Sequence, residues 1–460
     1  MPSKNGTRKS KSSVGEEMQV VHPNTAGVDI GSREHWACAA AADGSRPIKR
    51  FGTTTRQLVA LADWLDELGV KSVAMESTYV YWIPLYELLE SRGFDVILAN
   101  AREVKNVPGR AKTDVSDCAW LQKLHTFGLI RSSFRPPKNI CAMRTLQRHA
   151  ASLIEQRVRD TQLLQRSLDQ MNIQIHRAVT DITGKTGMSI IHAIIDGERD
   201  PRELAKLRDP RCKVTEQELA EHLEGTWIEE HLFTLASGVR SLEHTESEIE
   251  QVESRIMEMI KALQPEEAKA VEAPKHPTAS KERSIQTKGG KELRDALWRF
   301  TGCDLTRIDG ISPSTAMIVL TEVGYDLSAF PSEKHFVSWL RLCPRHAVSG
   351  GKRLRKQRSN LAVNRIALVL RMAALSLQRT KTGLGAHFRK VARARDGKIA
   401  IVATARKLAL LIYRMLKFGQ AYVDEGAKAY EARQAERRIF GLHQSAKSLG
   451  YKLIPVEEVS

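Results

Sequence analysis

The six cysteines, Cys38, Cys118, Cys141, Cys212, Cys303 and Cys343, include no C-x-x-C pair. Their scatter excludes a zinc ribbon or a disulfide framework and predicts a reducing compartment. Long apolar runs are missing too, so no membrane span is expected. Met1 to Gly15 is polar and basic without an apolar core, which predicts no secretory signal. A disordered basic arm over residues 1–20 is expected instead, either brushing phosphate or merely solvated. Acid is in deficit, with 54 Asp and Glu against 71 Lys and Arg and a formal net charge of +17. Clustered excess of that size favours a polyanionic partner. A chain of 460 residues predicts two or three domains.

The chain is organised around Lys105 to Trp120. Asp114 and Asp117 stand three apart at a predicted helix start, behind a Pro-Gly-broken basic loop carrying Lys105, Arg110 and Lys112. Two carboxylates on one helical face can hold a divalent metal, and the loop can hold the phosphate beside it. A helix dipole also favours acids in a first turn without any metal, and Asp114 reads equally as an N-cap.

Ala26 to Gly31 and His35 to Ala42 read as short strands joined by a Gly-Ser turn. Asp29 lies inside the first, where a carboxylate is costly unless paired or metal-bound. On these residues alone it reads as well as an edge residue capping the Gly31 turn. Thr53 to Leu68 follows as an amphipathic helix, and Ser72 to Ser77 is a second apolar strand reaching an acid, Glu76. Tyr79 to Ser91 is predicted helical and Phe94 to Ala99 a strand, so residues 21–138 form an α/β sheet domain. Acids at strand ends can converge where ligands commonly sit in such sheets. Asp29, Glu76, Asp114 and Asp117 are therefore candidates for one four-carboxylate cluster.

Residues 139–263 turn helical. Ile140 to His176 has neither Gly nor Pro, and Leu146, Leu153, Val158, Leu164, Leu168, Met171 and Ile175 trace an approximate heptad seam. Arg144, Arg148, Arg157, Arg159 and Arg166 flank it, predicting a coiled-coil hairpin or dimer arm beside nucleic acid. Glu243 to Ile260 is the candidate returning helix. Residues 264–290, rich in Pro, Lys, Glu and Ser, read as a linker.

A second, mainly α-helical domain is expected over 291–423, followed by a charged tail over 424–460. Leu305 to Gly324 has the shape of a helix-hairpin-helix, whose turn presents N–H groups to phosphate. The most basic stretch follows, with Arg345, Lys352, Arg353, Arg355 and Lys356 around Ser349-Gly-Gly. Glycines let backbone approach a phosphate and the cations neutralise it. From the residues alone Ser349 is a hydrogen-bond donor in a DNA-backbone loop, with His346 the nearest candidate base.

Five motifs together resemble the DEDD insertion-sequence transposases, the IS one-ten family and within it the IS eleven-eleven group. They are Gly-Val-Asp-Ile-Gly at Asp29, Ala-Met-Glu-Ser-Thr at Glu76, and Lys-Asn-Val-Pro-Gly-Arg leading to Thr-Asp-Val-Ser-Asp. Asp-Gly-Ile-Ser-Pro-Ser-Thr-Ala and Leu-Cys-Pro followed by Ser-Gly-Gly-Lys complete the set. The resemblance implies a RuvC-like domain of RNase H fold, then a coiled-coil region and a C-terminal transposase domain. It makes Asp29, Glu76, Asp114 and Asp117 a magnesium-binding tetrad and Ser349 the nucleophile. It further implies element-end and target DNA, a noncoding bridge RNA and a homo-oligomer, dimer or tetramer, as partners. The expected setting is the bacterial cytoplasm, at the nucleoid. The competing expectations are a Holliday-junction-type nuclease that uses water, and a non-catalytic nucleic-acid-binding protein.

Overall fold

Residues 19–41, 43–77, 79–100, 113–269, 274–275, 289–343, 348–349, 352–353, 364–419 and 426–454 are described by a computed structural model. They fall into two compact units that part between Arg135 and Pro136. The first is an α/β unit with a mixed sheet; the second is mostly helical.

The sheet of the first unit runs β3-β2-β1-β4-β5. Its strands are β1 (Thr25–Ile30), β2 (Glu34–Ala39), β3 (Ile48–Gly52), β4 (Ser72–Glu76) and β5 (Asp95–Ala99). β2 is antiparallel to β1 and β3, whereas β1, β4 and β5 are mutually parallel. β3 has no counterpart in the sequence reading. Three of its five residues are exposed and two are cationic, so no apolar run announces it.

Strand alternation gives the sheet two faces. Ala26, Val28 and Ile30 of β1 and Val73 and Met75 of β4 enter one core with Leu58, Leu61 and Leu65 of α1 (Thr55–Glu67). Leu85 and Leu89 of α2 (Trp82–Ser91) join it. The opposite face, carrying Thr25, Gly27 and Asp29 of β1, is covered by α3 (Asp114–Thr126). A Cβ on Gly27 would stand 2.2 Å from Gln122 N and 2.4 Å from Cys118 O, so glycine permits the close approach of helix to strand.

In the second unit, α4 (Lys138–Gln170) and α5 (Glu229–Ala262) pack along each other. Thr226 N donates to Met171 O, and further along Ser241 and Thr245 donate to Asp160, so the pair is antiparallel. Of the predicted seam, Leu164, Leu168, Met171 and Ile175 are buried, whereas Val158 is 50% exposed. Asp160 takes the buried position nearby and is accommodated because three side chains, Gln156, Ser241 and Thr245, donate to it. The heptad rule could not anticipate a carboxylate there. The hairpin alternative is the one realised within the chain, with α5 as the returning helix.

Arg144 and Arg148, expected at a nucleic-acid flank, instead meet Glu322, whose side chain is 8% exposed. Arg148 binds it through Nε at 3.0 Å and Nη2 at 2.8 Å, and Arg144 also bonds the Glu322 carbonyl. Glu322 belongs to α7 (Pro313–Val323), which follows α6 (Gly290–Thr301). Arg157, Arg159 and Arg166 remain on the exposed surface. The predicted helix-hairpin-helix is reduced on its first side to a three-residue 3-10 turn, Leu305–Arg307. Asp304 organises that turn by accepting from Thr306 while pairing with buried Arg294. Gly310, at φ +84°, then turns the chain toward Pro313. Shorter helices, Ile175–Ala178, Lys185–Ile195, Pro201–Lys206 and Glu216–Leu223, connect α4 to α5, and beyond α7 lie α8 (Glu333–Trp339), α9 (Arg365–Ser376), α10 (Gly383–Ala394), α11 (Gly397–Phe418) and α12 (Gly426–Ser448). What reads in the sequence as a charged tail is thus largely α12, anchored by Tyr430 at 4% exposure. Of the expected linker, Glu266–Lys269 is helical, while 270–273 and 276–288 lie outside the described residues. Among the described residues no helix is long and apolar enough to cross a membrane.

Gly27→Ala is expected to destabilise the first unit by about 1–3 kcal/mol, because its methyl meets backbone that must move. Gly397→Ala, a helical position with open space around its Cβ, is the matched control. Thermal melts of both variants test this, and equal midpoints would show that α3 does not depend on the contact.

Candidate active site

Asp29 and Glu76 each follow the Val28–Met75 pair, the last one in register between the parallel strands β1 and β4. They therefore stand at the same, C-terminal, ends of adjacent strands. Because side chains alternate, both also share the face covered by α3 rather than the α1–α2 core. That shared face was not legible from either strand alone.

α3 brings the other two acids to the same end. Thr126 Oγ1 lies 2.8 Å from Thr25 Oγ1, and Gln122 and Cys118 meet Gly27. Two residues of strand and four of helix each advance about 6 Å, so helix and strand run past each other in step, antiparallel. Continuing the same register, Cys118 comes abreast of Asp29. Burial pushes the Cys118 thiol up to about 12, with smaller contributions from Cys38 and from the Asp29 charge. Asp114 and Asp117 lie in the turn just before Cys118.

The start of α3 is built locally. Thr113 is the N-cap, its hydroxyl accepting from Ser116 N at 3.2 Å while Ser116 Oγ accepts from Thr113 N at 3.0 Å. This capping box contributes on the order of 1 kcal/mol. Thr113 thereby takes the capping role that Asp114 could have filled, and Asp114 is an exposed first-turn residue. Asp117 is half-buried, with Oδ1 shielded from solvent; Asp29 and Glu76 are half-buried.

Carboxylate oxygens are the hard donors that magnesium takes. Their number and strand-end placement suit such an ion. Yet among the described residues no three of His, Cys, Asp and Glu are gathered closely enough to hold a metal. The structure brings the acids to one end of one face without closing them into an ion-binding group.

Ser349 lies in β6 (Val348–Ser349), which pairs antiparallel with β7 (Lys352–Arg353). The register sets Ser349 opposite Lys352 and Val348 opposite Arg353. Lys105, Arg110, Lys112, Arg345, Arg355 and Lys356, with His346, lie outside the described residues.

The far end of α3 carries a cluster with no signal in the sequence pattern. His125 Nε2 lies 2.7 Å from Ser72 Oγ, and the His125 ring stacks on His22 at 5.1 Å between centroids. Ser72 Oγ donates to the Asp95 carbonyl at 3.0 Å and lies 3.3 Å from Oδ2. Burial, reinforced by the His22 charge, lowers His125 to about 4, against a smaller opposing pull from Asp95. Together with the Thr25–Thr126–Gln122 hydroxyl and amide network, it pins the helix end opposite the acids.

His125 stays neutral in the folded protein from its ordinary value of 6.5 down to about 4, while the unfolded chain takes up a proton. Its contribution to stability is present above that window and is lost as pH falls through it. Urea midpoints should therefore drop more on acidification for the native protein than for His125→Gln. Equal drops would rule out His125 as a source of acid sensitivity.

No curated protein shows significant similarity to the chain. Two family models match it in chain order. A DEDD transposase model of the IS110 type, described as "Transposase", covers residues 26–173 and so spans all four acids. A second, described as "Transposase IS116/IS110/IS902 family", covers residues 303–389 and spans the Ser349 hairpin. Matching both halves of a two-part architecture with the acids and the serine inside them, the chain belongs to the IS110 family of DEDD transposases.

Proposed function

We propose that the chain is a site-specific DNA recombinase that excises and inserts its own mobile element, with a RuvC-like N-terminal domain of RNase H fold. The five-stranded order with a single antiparallel strand, β2, supports that fold. The observation that carries the functional reading is the placement of Asp29 and Glu76 at adjacent strand ends, under the helix that bears Asp114 and Asp117.

In this reading Asp29, Glu76, Asp114 and Asp117 would be drawn together to hold magnesium. Such an ion would supply polarisation of the scissile phosphate and charge neutralisation for an in-line displacement. The chain's own chemistry is nucleophilic. Ser349 Oγ forms a bond to phosphorus as the bond from phosphorus to the departing sugar oxygen breaks. The serine proton passes, by way of solvent, to the departing oxygen, which ends as a hydroxyl. A phosphoserine–DNA ester results, and a second hydroxyl reverses the step without an external energy source.

Lys105, Arg110, Lys112, Arg345, Lys352, Arg353, Arg355 and Lys356 grip phosphate backbones, a role that carries no sequence information by itself. A noncoding bridge RNA supplies sequence choice by base pairing. Copies assemble as a homo-oligomer on the DNA, and the serine of one copy serves the carboxylates of another. The reaction takes place in the bacterial cytoplasm, at the nucleoid.

Purified protein with magnesium, guide RNA and DNA is expected to give a covalent adduct that survives denaturing electrophoresis. Ser349→Ala should abolish it, and normal recombination by that variant would overturn the nucleophile. Asp114→Asn or Asp117→Asn should slow cleavage at least about 10- to 100-fold, the cost of disturbing even a group behind a metal ligand. DNA binding should survive both substitutions. Cleavage without any adduct would instead select a nuclease that uses water.

A further inference from the structure

A cleft of about 350 Å³ opens between α10, α11 and α12. Its cations come from all three helices: Lys390 from α10, Lys407 from α11, and Arg433 and Arg437 from α12. The other lining residues are His387, Val391, Tyr430 and Gln434, so among the described residues no acid lines it. All but His387 lie beyond the second family match, or one residue past its end.

The cleft is a built feature. Tyr430, Arg433 or Gln434, and Arg437 recur at three- and four-residue spacing, so one face of α12 closes it. Tyr430 is buried, its hydroxyl 3.0 Å from His387 Nδ1, and Lys407 Nζ lies 5.0 Å from its ring centroid. Lys390 Nζ donates to Gln434 Oε1 at 2.5 Å, joining α10 to α12 across the opening. His387 is held neutral near pH 7, lowered to about 4 by burial first and then by Lys407 and Lys390. Four cations converging on one opening raise the local positive potential, which favours an anionic group there.

We propose that this cleft is a phosphate-binding site for the backbone of duplex DNA, made of residues other than the Ser349 hairpin and the carboxylates. The occupant follows from charge and context. The site presents point and fork donors with no acid among its described lining residues, and the family acts on DNA. Backbone contacts position a duplex without reading its sequence. The proposal rests on the transposase reading for its choice of polyanion, but not on the serine or the tetrad.

The test uses the full-length protein and a labelled duplex lacking any element sequence, followed by fluorescence anisotropy across a salt series. Arg433→Gln/Arg437→Gln removes two cleft charges. Arg438→Gln/Lys447→Gln removes two from the same helix outside the cleft. Each lost phosphate contact lowers the slope of log affinity against log salt by about 0.9. The cleft variant should therefore lose about 2 in slope and more than about 10-fold in affinity near 0.1 M salt. The control should stay close to the native protein. Equal slopes in the two variants would overturn the proposal, as would a loss confined to single-stranded RNA with duplex binding unchanged. Binding is read without catalysis, so failure of Ser349 or of the acids as catalytic groups leaves this result interpretable.

Discussion

The candidate active site depends on one contact, the approach of α3 to β1 over Gly27. A helix can lie on a strand this closely only where the strand residue has no Cβ, since Gln122 N and Cys118 O occupy the space a methyl would take. The register it imposes then fixes the rest. Thr126 meets Thr25 at one end, and the first turn with Asp114 and Asp117 reaches the level of Asp29 at the other. A slip of one residue in β1 would turn Asp29 into the α1–α2 core and present Val28 or Ile30 to α3. The polar cluster of His125, Ser72, Thr25 and Gln122 resists that slip, because the hydrogen bonds His125–Ser72 and Gln122–Thr25 form in only one register.

In the helical unit, buried carboxylates do comparable work. Asp160 fixes how α4 and α5 pair, through donors on both helices. Glu322 ties α7 to α4 through Arg144 and Arg148, and Asp304 ties its turn to α6 through Arg294. Apolar seams tolerate sliding, whereas a buried acid must find its own donors. Removing one partner of such a pair costs about 3–5 kcal/mol, although the intact pair adds less net stability than that. These acids specify geometry more than they add stability.

The strands and helices of the first unit were legible in the sequence because each has a strong local pattern. β1 and β4 are short apolar runs ending near an acid, and α1 has Leu58, Leu61 and Leu65 on one face. β3 was not, because Ile48, Lys49 and Arg50 are exposed and its pairing with β2 alone makes it a strand. The seam of α4 was legible at Leu164 and Leu168 but misleading at Val158, where the returning helix favours Asp160 instead. The arginines flanking the seam looked free for phosphate, yet two of them are spent on Glu322, 174 or more residues away.

Composition, periodicity and motif together determined the class of partner, the α/β character of the first unit, the α4–α5 helices and the candidate acids. Each is a local property, carried by residue types within a few turns of chain. The tertiary structure alone decided that Asp29 and Glu76 share a face, that α3 runs past β1 with its acids toward that end, and that α12 folds back to close a basic cleft. Those outcomes depend on which elements pack together, and packing joins residues whose separation no local pattern encodes.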